Sequence, residues 1–300
     1  MTAVTAGGPL AAIILGHARG ERAPEVPLNE TRELQKVAEG REAEMFAWED
    51  GSILRLLREP GAEQRNQGQA AAMEAARSRG VRVPAVLGAT TVMGRPGLIM
   101  ERIDGPDLLT LIGRRPWTVF RVGRICGEVH AQLHEVQAPH VIPSAKEALK
   151  RRIEGSGPLP QHLAEFALEV LDGLPDGDRL CHGDFHPGNI LMAGDEPVLI
   201  DWTNARRGDP AADVARTRMM LRLGEPPPGT SVVLRALALA GRSLLVALYL
   251  RSYRRVRPLD MRAVKRWEIP IAAARLAEGI EEEVPRLLAF LESAARPRQA

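Results

Sequence analysis

Leu180-Cys-His-Gly-Asp-Phe-His-Pro-Gly-Asn-Ile-Leu191, continued by Pro197-Val-Leu-Ile-Asp-Trp202, decides how this chain is read. The first stretch sets His182, Asp184 and Asn189 on one short loop, in the order H-x-D-x-x-x-x-N. The second is a short apolar strand, Val198 to Ile200, that ends in a carboxylate, Asp201. Phosphoryl transfer from a nucleotide needs such a set. One carboxylate orients the attacking hydroxyl, while an amide and a second carboxylate hold Mg²⁺ against the triphosphate. The competing reading of His182-x-Asp184-x-His186 as a zinc cluster of a hydrolase leaves Asn189 and Asp201 unused and lacks distant ligands.

The loop matches the kinase catalytic loop residue for residue, with Pro187 where that loop also carries proline. His-Gly-Asp-Phe-His-Pro-Gly-Asn followed by Ile-Asp-Trp resembles the aminoglycoside phosphotransferase and choline kinase family of small-molecule kinases. Protein kinases usually carry arginine at the position of Gly183 and lysine at that of His186, and Asp-Phe-Gly where this chain has Asp-Trp-Thr. Those differences, and the dozen or so residues from Asp201 to Asp213, point away from protein substrates. The resemblance runs from about Val37 to about Leu291 and is sharpest over residues 180–213.

It implies an α+β, two-lobed, protein-kinase-like fold: a small N-terminal antiparallel sheet with a helix, then a larger, mostly helical C-terminal lobe. The expected divisions are an arm at 1–30, a nucleotide-binding lobe at 31–103 and a catalytic, acceptor-binding lobe at 104–300. The implied activity is ATP- or GTP-dependent transfer of the γ-phosphoryl group to a hydroxyl of a small molecule. Asp184 would accept or orient the hydroxyl proton, and His186 would touch the γ-phosphate or the acceptor. Asn189 and Asp201 would bind Mg²⁺, which prefers hard oxygen ligands. Asp213 would prop the loop through its backbone.

In the first lobe the resemblance makes Gly40 to Glu44 the loop over the phosphates. It sets Met100 beside the adenine, with the Glu101 carbonyl and the Ile103 amide meeting the base. Arg55 stands where the family has a phosphate-binding lysine; it keeps the charge but is not equivalent. Gln69 stands where the partner glutamate is usual. That pair motivates an alternative, a weak or inactive pseudokinase that binds nucleotide or ligand.

Composition agrees with a soluble, cytoplasmic enzyme. Three hundred residues suffice for one large domain or two lobes, and 45% are hydrophobic. A formal charge of +2 implies no strong field for nucleic acid. Cys126 and Cys181 offer neither a disulfide framework nor zinc spacing, and both are expected as packed thiols. The apolar start, Pro9 to Leu15, is too short to span a bilayer. A monomer or a homodimer is expected, and no membrane partner.

Along the chain, Gln35 to Trp48 reads as a hairpin and Ser52 to Leu57 as a strand; Glu63 to Arg79 has helical composition. Strands are expected at Ala85–Thr90 and Gly97–Met100. Val119 to Val136 shows apolar residues at spacings of three and four, with His130 and His134 one turn apart. Without the carboxylate of H-E-x-x-H these are expected as packed histidines. Gln161 to Leu174 reads as helix, as does a helix opening at Asp213, and Glu225 to Gly229 as a stiff linker. Val232–Val256 and Met261–Phe290 are expected as helices. The acidic run from Glu278 to Glu283 reads as solvated surface or as an attractor for a cationic acceptor. Tyr253 and Trp267 read as pocket lining or core.

Overall fold

The structure is a computed structural model that describes residues 34–40, 42–223 and 232–296, with side chains from 240 onward in the last segment. The expected arm at 1–30 and the linker at 225–229 lie outside the described residues. The chain divides between Asp104 and Gly105 into two compact units.

The first unit holds β1 (Lys36–Glu39), β2 (Ala43–Ala47), β3 (Ser52–Leu57), α1 (Glu63–Ser78), β4 (Val86–Val92) and β5 (Arg95–Glu101). The strands form one antiparallel sheet in the order β1-β2-β3-β5-β4. Leu54 and Leu56 on β3 share one face and meet Val92, Phe46 and Ile99, while Arg55 and Leu57 on the other face are buried as well. β4 and β5 run longer than the sequence pattern suggests, because Met93 and Gly94 both adopt positive φ (53° and 73°). They make a two-residue turn that lets Val92 pair with Arg95. α1 is built from Ala, Gln, Met and Glu, all good helix formers. It ends where Gly80 turns to φ 83°, with Val81 N–H donating to the Ala76 carbonyl and Gly80 N–H to that of Arg77.

The second unit is mostly helical. In chain order it holds α2 (Leu108–Arg114), α3 (Val119–Leu133), α4 (Ala145–Glu154), α5 (Gln161–Asp172), β6 (Arg179–Cys181), β7 (Ile190–Ala193), β8 (Glu196–Leu199), β9 (Arg206–Gly208), α6 (Pro210–Leu223), α7 (Val232–Val256), α8 (Met261–Leu276) and α9 (Val284–Ala295). β7 and β8 form a hairpin, and β6 pairs with β9. α3 packs along α7, and Gly127 lets their backbones close up: a Cβ there would lie 2.6 Å from Tyr253 N. Trp267 and Tyr253 are fully buried core residues, and Trp267 Nε1 donates to Asp209 Oδ2 at 3.1 Å. Cys126 and Cys181 are buried free thiols.

Other elements also differ from the sequence reading. α6 begins at Pro210, not Asp213, because Asp209 Oδ1 accepts the Ala211 N–H and proline suits the first helical position. The helix expected from Met261 to Phe290 breaks after Leu276, where Gly279 takes φ 69°, and resumes at Val284. α4, capped by Ser144, was not marked by any strong apolar stripe; Ile153 is its one buried residue. Among the described residues no helix is long and apolar enough to cross a membrane.

Candidate active site

β6 feeds its last residue, Cys181, straight into the loop that carries the conspicuous motif. The loop is tied down at its start by one buried carboxylate. Asp213 Oδ2 accepts the His182 N–H at 2.6 Å, and Oδ1 accepts the Gly183 N–H at 3.0 Å. The same Oδ2 lies 3.1 Å from His130 Nε2 and 3.3 Å from His134 Nε2. The other ring nitrogens of these histidines sit 2.7 Å from the hydroxyls of Tyr249 and Tyr253.

Burial alone would raise the Asp213 carboxyl, yet the two imidazole hydrogen bonds outweigh it and hold it well below the carboxylate range. Burial pushes the His130 imidazole down to about 3, so it is neutral, with Nε2–H facing Asp213. His130, His134 and Asp213 are close enough to ligate an ion. Each of their nitrogens and oxygens already has a protein partner, however, so the cluster serves as packed support. Phe185 stacks flat on His130, with ring centroids 3.8 Å apart.

Within the loop, Gly183 adopts φ 75°, and a side chain there would run into the Asn204 carbonyl. This explains glycine where protein kinases carry arginine. The His182 ring is buried, and its Nε2 lies 2.9 Å from the Ile200 carbonyl oxygen, joining the loop to the end of β8. Asn189 ties the loop to itself and to the hairpin: its Nδ2 donates to the Asp184 carbonyl, and its own carbonyl accepts the Ile200 N–H, both at 2.9 Å. Asp201 follows directly, exposed, at φ 58°, with one carboxylate oxygen accepting from Thr203 Oγ1 at 2.8 Å. A left-handed backbone at a non-glycine residue costs about 1–3 kcal/mol unless the side chain helps, and Asp tolerates it better than most.

His186 Nδ1 accepts the Gly188 N–H at 3.0 Å, which leaves the proton on Nε2, 3.9 Å from Asp184 Oδ2. Burial lowers its pKa, with Asp184 opposing the shift in part. The structure thus brings Asp184, His186, Asn189 and Asp201 together around one loop and one hairpin end. Asn189 and Asp201 supply oxygens suited to a hard cation such as Mg²⁺. The Asn189 amide nitrogen donates to the Asp184 carbonyl, so of its side-chain atoms only the oxygen could serve a cation.

The sequence reading missed Arg216, on the inner side of α6. Its Nε donates to the Gly183 carbonyl at 2.5 Å, and its Nη2 lies 3.8 Å from Asp184 Oδ1. Glu278 pairs with Arg216 at 2.8 Å and with Arg275 at 3.1 Å, while Glu283 is buried against Arg275. Of the acidic run, only Glu281 and Glu282 are exposed surface. An arginine within an apolar-alanine helix carries no local signature, so Arg216 was visible only as one cation among forty.

The remaining expected residues lie in the first unit. Arg55 is buried on β3, opposite Met45 and Leu98. Gln69 is buried on α1 with Nε2 4.0 Å from Met73 Sδ. Gly40 closes the β1–β2 turn by donating to the Ala43 carbonyl at 2.8 Å. Met100 is buried on β5. Glu101 forms a two-pronged pair with Arg82 at 2.9 and 2.6 Å, and its N–H is taken by the Ala85 carbonyl. Ile103 follows β5, partly exposed.

The model of the phosphotransferase enzyme family matches residues 33–259. No curated protein matches the chain in sequence. Among solved structures, a protein assigned as a fructosamine-3-kinase from Haemophilus somnus 129PT is 14% identical with a TM-score of 0.60, covering 95% of this chain and 97% of that one. The streptomycin–ATP ternary complex of APH(2″)-IIa is 12% identical with a TM-score of 0.57, covering 98% and 97%. An aminoglycoside-3′-phosphotransferase of type VIII is 19% identical with a TM-score of 0.55, covering 86% and 97%. At these identities the likeness is one of fold, and that fold is protein-kinase-like. With more than half its length matched by the family model, and with the loop built as described, the chain belongs to the phosphotransferase enzyme family.

Proposed function

We propose that this protein moves the γ-phosphoryl group of ATP or GTP onto a hydroxyl of a small molecule. The observation that carries the reading is the joint anchoring of Asp184 and Asn189, with Asp201 one residue beyond Ile200, whose N–H the Asn189 carbonyl accepts. Asp184 orients the acceptor hydroxyl and takes its proton as the bond to phosphorus forms. Its carboxylate needs no raised pKa, because the transition state is loose and positioning supplies most of the rate. Asn189 Oδ1 and the Asp201 carboxylate hold Mg²⁺, which, when bound, neutralises charge on the transferring phosphoryl oxygens. His186, neutral and donating through Nε2, is placed to steady Asp184 or a phosphate oxygen. In the first unit, Arg55 is the phosphate-binding cation. Gly40 belongs to the phosphate loop, and Met100, Glu101 and Ile103 to the base site.

One of the solved structures named above is a ternary complex with streptomycin and ATP, which supports a nucleotide donor and a small acceptor. The short stretch between Asp201 and Asp213 supports the same, since it leaves little length for a peptide platform. Purified protein should bind Mg-ATP or Mg-GTP in calorimetry and transfer phosphate to members of an acceptor panel. Asp184→Ala should cut transfer by about 10²–10⁴-fold while nucleotide affinity stays within about threefold. Equal turnover in that variant would remove Asp184 from its role.

A further inference from the structure

α6 grips the catalytic loop with two side chains one turn apart. Asp213 accepts the Gly183 N–H at 3.0 Å, and Arg216 donates through Nε to the carbonyl of the same residue at 2.5 Å. Side chains three residues apart share a helix face, so both grips come from one side. The Gly183 carbonyl belongs to the rigid peptide plane that leads into Asp184. Fixing its oxygen fixes that plane, which glycine, the residue with the widest choice of backbone conformations, does not fix unaided.

The Asp184 carboxylate is flanked yet left open. Its Oδ1 lies 3.8 Å from Arg216 Nη2, and its Oδ2 lies 3.9 Å from His186 Nε2. Both separations exceed hydrogen-bond length. Among the described residues no donor hydrogen-bonds either oxygen. An oxygen that receives a hydroxyl proton needs that opening, and a close two-pronged pair with arginine would fill it.

The other partners of Arg216 hold it back from Asp184. Its planar guanidinium has a fixed set of donor directions. Nε is taken by the Gly183 carbonyl and Nη1 by Glu278 Oε1 at 2.8 Å, which leaves Nη2 toward Asp184. Arg275 donates to the other oxygen of Glu278 at 3.1 Å, and Arg152 approaches Glu278 at 3.6 Å. Arg275 is itself clamped by Glu283 through two hydrogen bonds, at 2.5 and 2.8 Å. The side chains of Arg216 and Glu278 are only 13% and 19% exposed, so water competes weakly for either. Burial alone would raise the Glu278 carboxyl, but Arg216 and Arg275 outweigh it and hold it below its usual value.

We propose that Arg216, held by Glu278, is the positioning residue of Asp184. It sets the peptide plane before that carboxylate and stands beside it without occupying it. The turn after α8, which carries Glu278, thereby acts on the reaction centre through one arginine. The inference rests on the reading of Asp184 as the group that orients the acceptor hydroxyl.

The test uses the full chain and four variants: Arg216→Met, Arg216→Lys, Glu278→Ala, and Arg216→Met combined with Glu278→Ala. Transfer from Mg-ATP and Mg-GTP is followed to kanamycin, choline and glucose, and to water, as nucleotide hydrolysis. Arg216→Met should lower kcat about 100-fold while KM for nucleotide and acceptor stays within about threefold, the mark of lost positioning rather than lost binding. Arg216→Lys keeps the charge but not the fork, and should recover kcat to about a tenth of wild type. Glu278→Ala should lower kcat about tenfold. In its crystal structure Arg216 should close on Asp184 to hydrogen-bond distance. With methionine at 216, Glu278→Ala should add less than about twofold, because the two residues act as a unit.

Should Arg216→Met fail to fold, Arg216→Lys and Glu278→Ala carry the same test. Unchanged kcat, a loss confined to KM, or fully additive losses overturns the proposal. So does a Glu278→Ala structure in which Arg216 keeps its distance from Asp184. The reading of the reaction fails separately. No turnover of any probe by wild type, or equal turnover by Asp184→Ala, removes the role of Asp184 and this inference with it. Turnover that needs Asp184 but ignores Arg216 removes this inference alone.

Discussion

Asp213 accepts the main-chain N–H of His182 at 2.6 Å, across thirty-one residues of sequence, and is itself fully enclosed. One carboxylate thus satisfies two loop amides and two imidazoles. In a dry interior each of those groups would otherwise be left without a partner, which is far more costly than the net gain of one exposed hydrogen bond.

Asp213→Ala should therefore lower unfolding free energy by about 3–5 kcal/mol, as loss of one partner from a buried charged network does. Asp213→Asn keeps one acceptor oxygen but sets an NH₂ donor against a loop N–H, so it should recover only part of the loss. Urea titration at pH 7 measures both; an alanine variant within about 0.5 kcal/mol of wild type would contradict the network.

Gly183→Ala meets two obstacles, a backbone at φ 75° and the Asn204 carbonyl in the path of the new methyl. A loss of about 1–3 kcal/mol is expected, with a fall in turnover larger than the fall in nucleotide affinity, because the strain sits beside Asp184. Denaturant unfolding and steady-state kinetics on the same preparation report the two effects.

Stability should fall on mild acidification. The folded pKa of His130, about 3, lies below the ordinary value of 6.5 that it regains on unfolding. Below 6.5 the unfolded chain binds a proton that the folded chain refuses, so stability is complete above 6.5 and drains away as pH falls toward 3. The slope for this one group is about 1.4 kcal/mol per pH unit. His186, also lowered, acts in the same direction. Between pH 6.5 and 5 a loss of about 2 kcal/mol is expected in urea unfolding. A flat profile there would mean that His130 is protonated in the fold.

Asp201→Asn offers a clean probe of metal binding. Asparagine tolerates positive φ as well as aspartate, so the melting temperature should stay within about 2 °C. Nucleotide affinity should lose most of its dependence on Mg²⁺, since a charged hard ligand becomes a neutral one. Calorimetry with ATP in Mg²⁺ and in EDTA measures the difference. An unchanged Mg²⁺ dependence would exclude Asp201 as a ligand.

Much of the fold was legible because the signals were local. Alternation marked β3, helical spacing marked α3, and the compact order of His182, Asp184 and Asn189 marked the loop. The β4–β5 turn was read too long, and its strands too short, because Met93 is not a residue expected at positive φ. Arg216 and its pairing with Glu278 were missed for a different reason: the two lie sixty-two residues apart in sequence.

The sequence by itself determined which chemical groups sit on the loop and in what order, because that loop is short and its spacing is covalent. The family resemblance added Asp213 as a support for that loop. Only the tertiary structure decided that His130 and His134 belong to the same support, since their partners arrive from α6 and α7. It alone set Arg216 of α6 between Gly183, Asp184 and Glu278. Side chains from separate elements acquire a common environment only when packing brings the elements together, and no spacing along the chain encodes that.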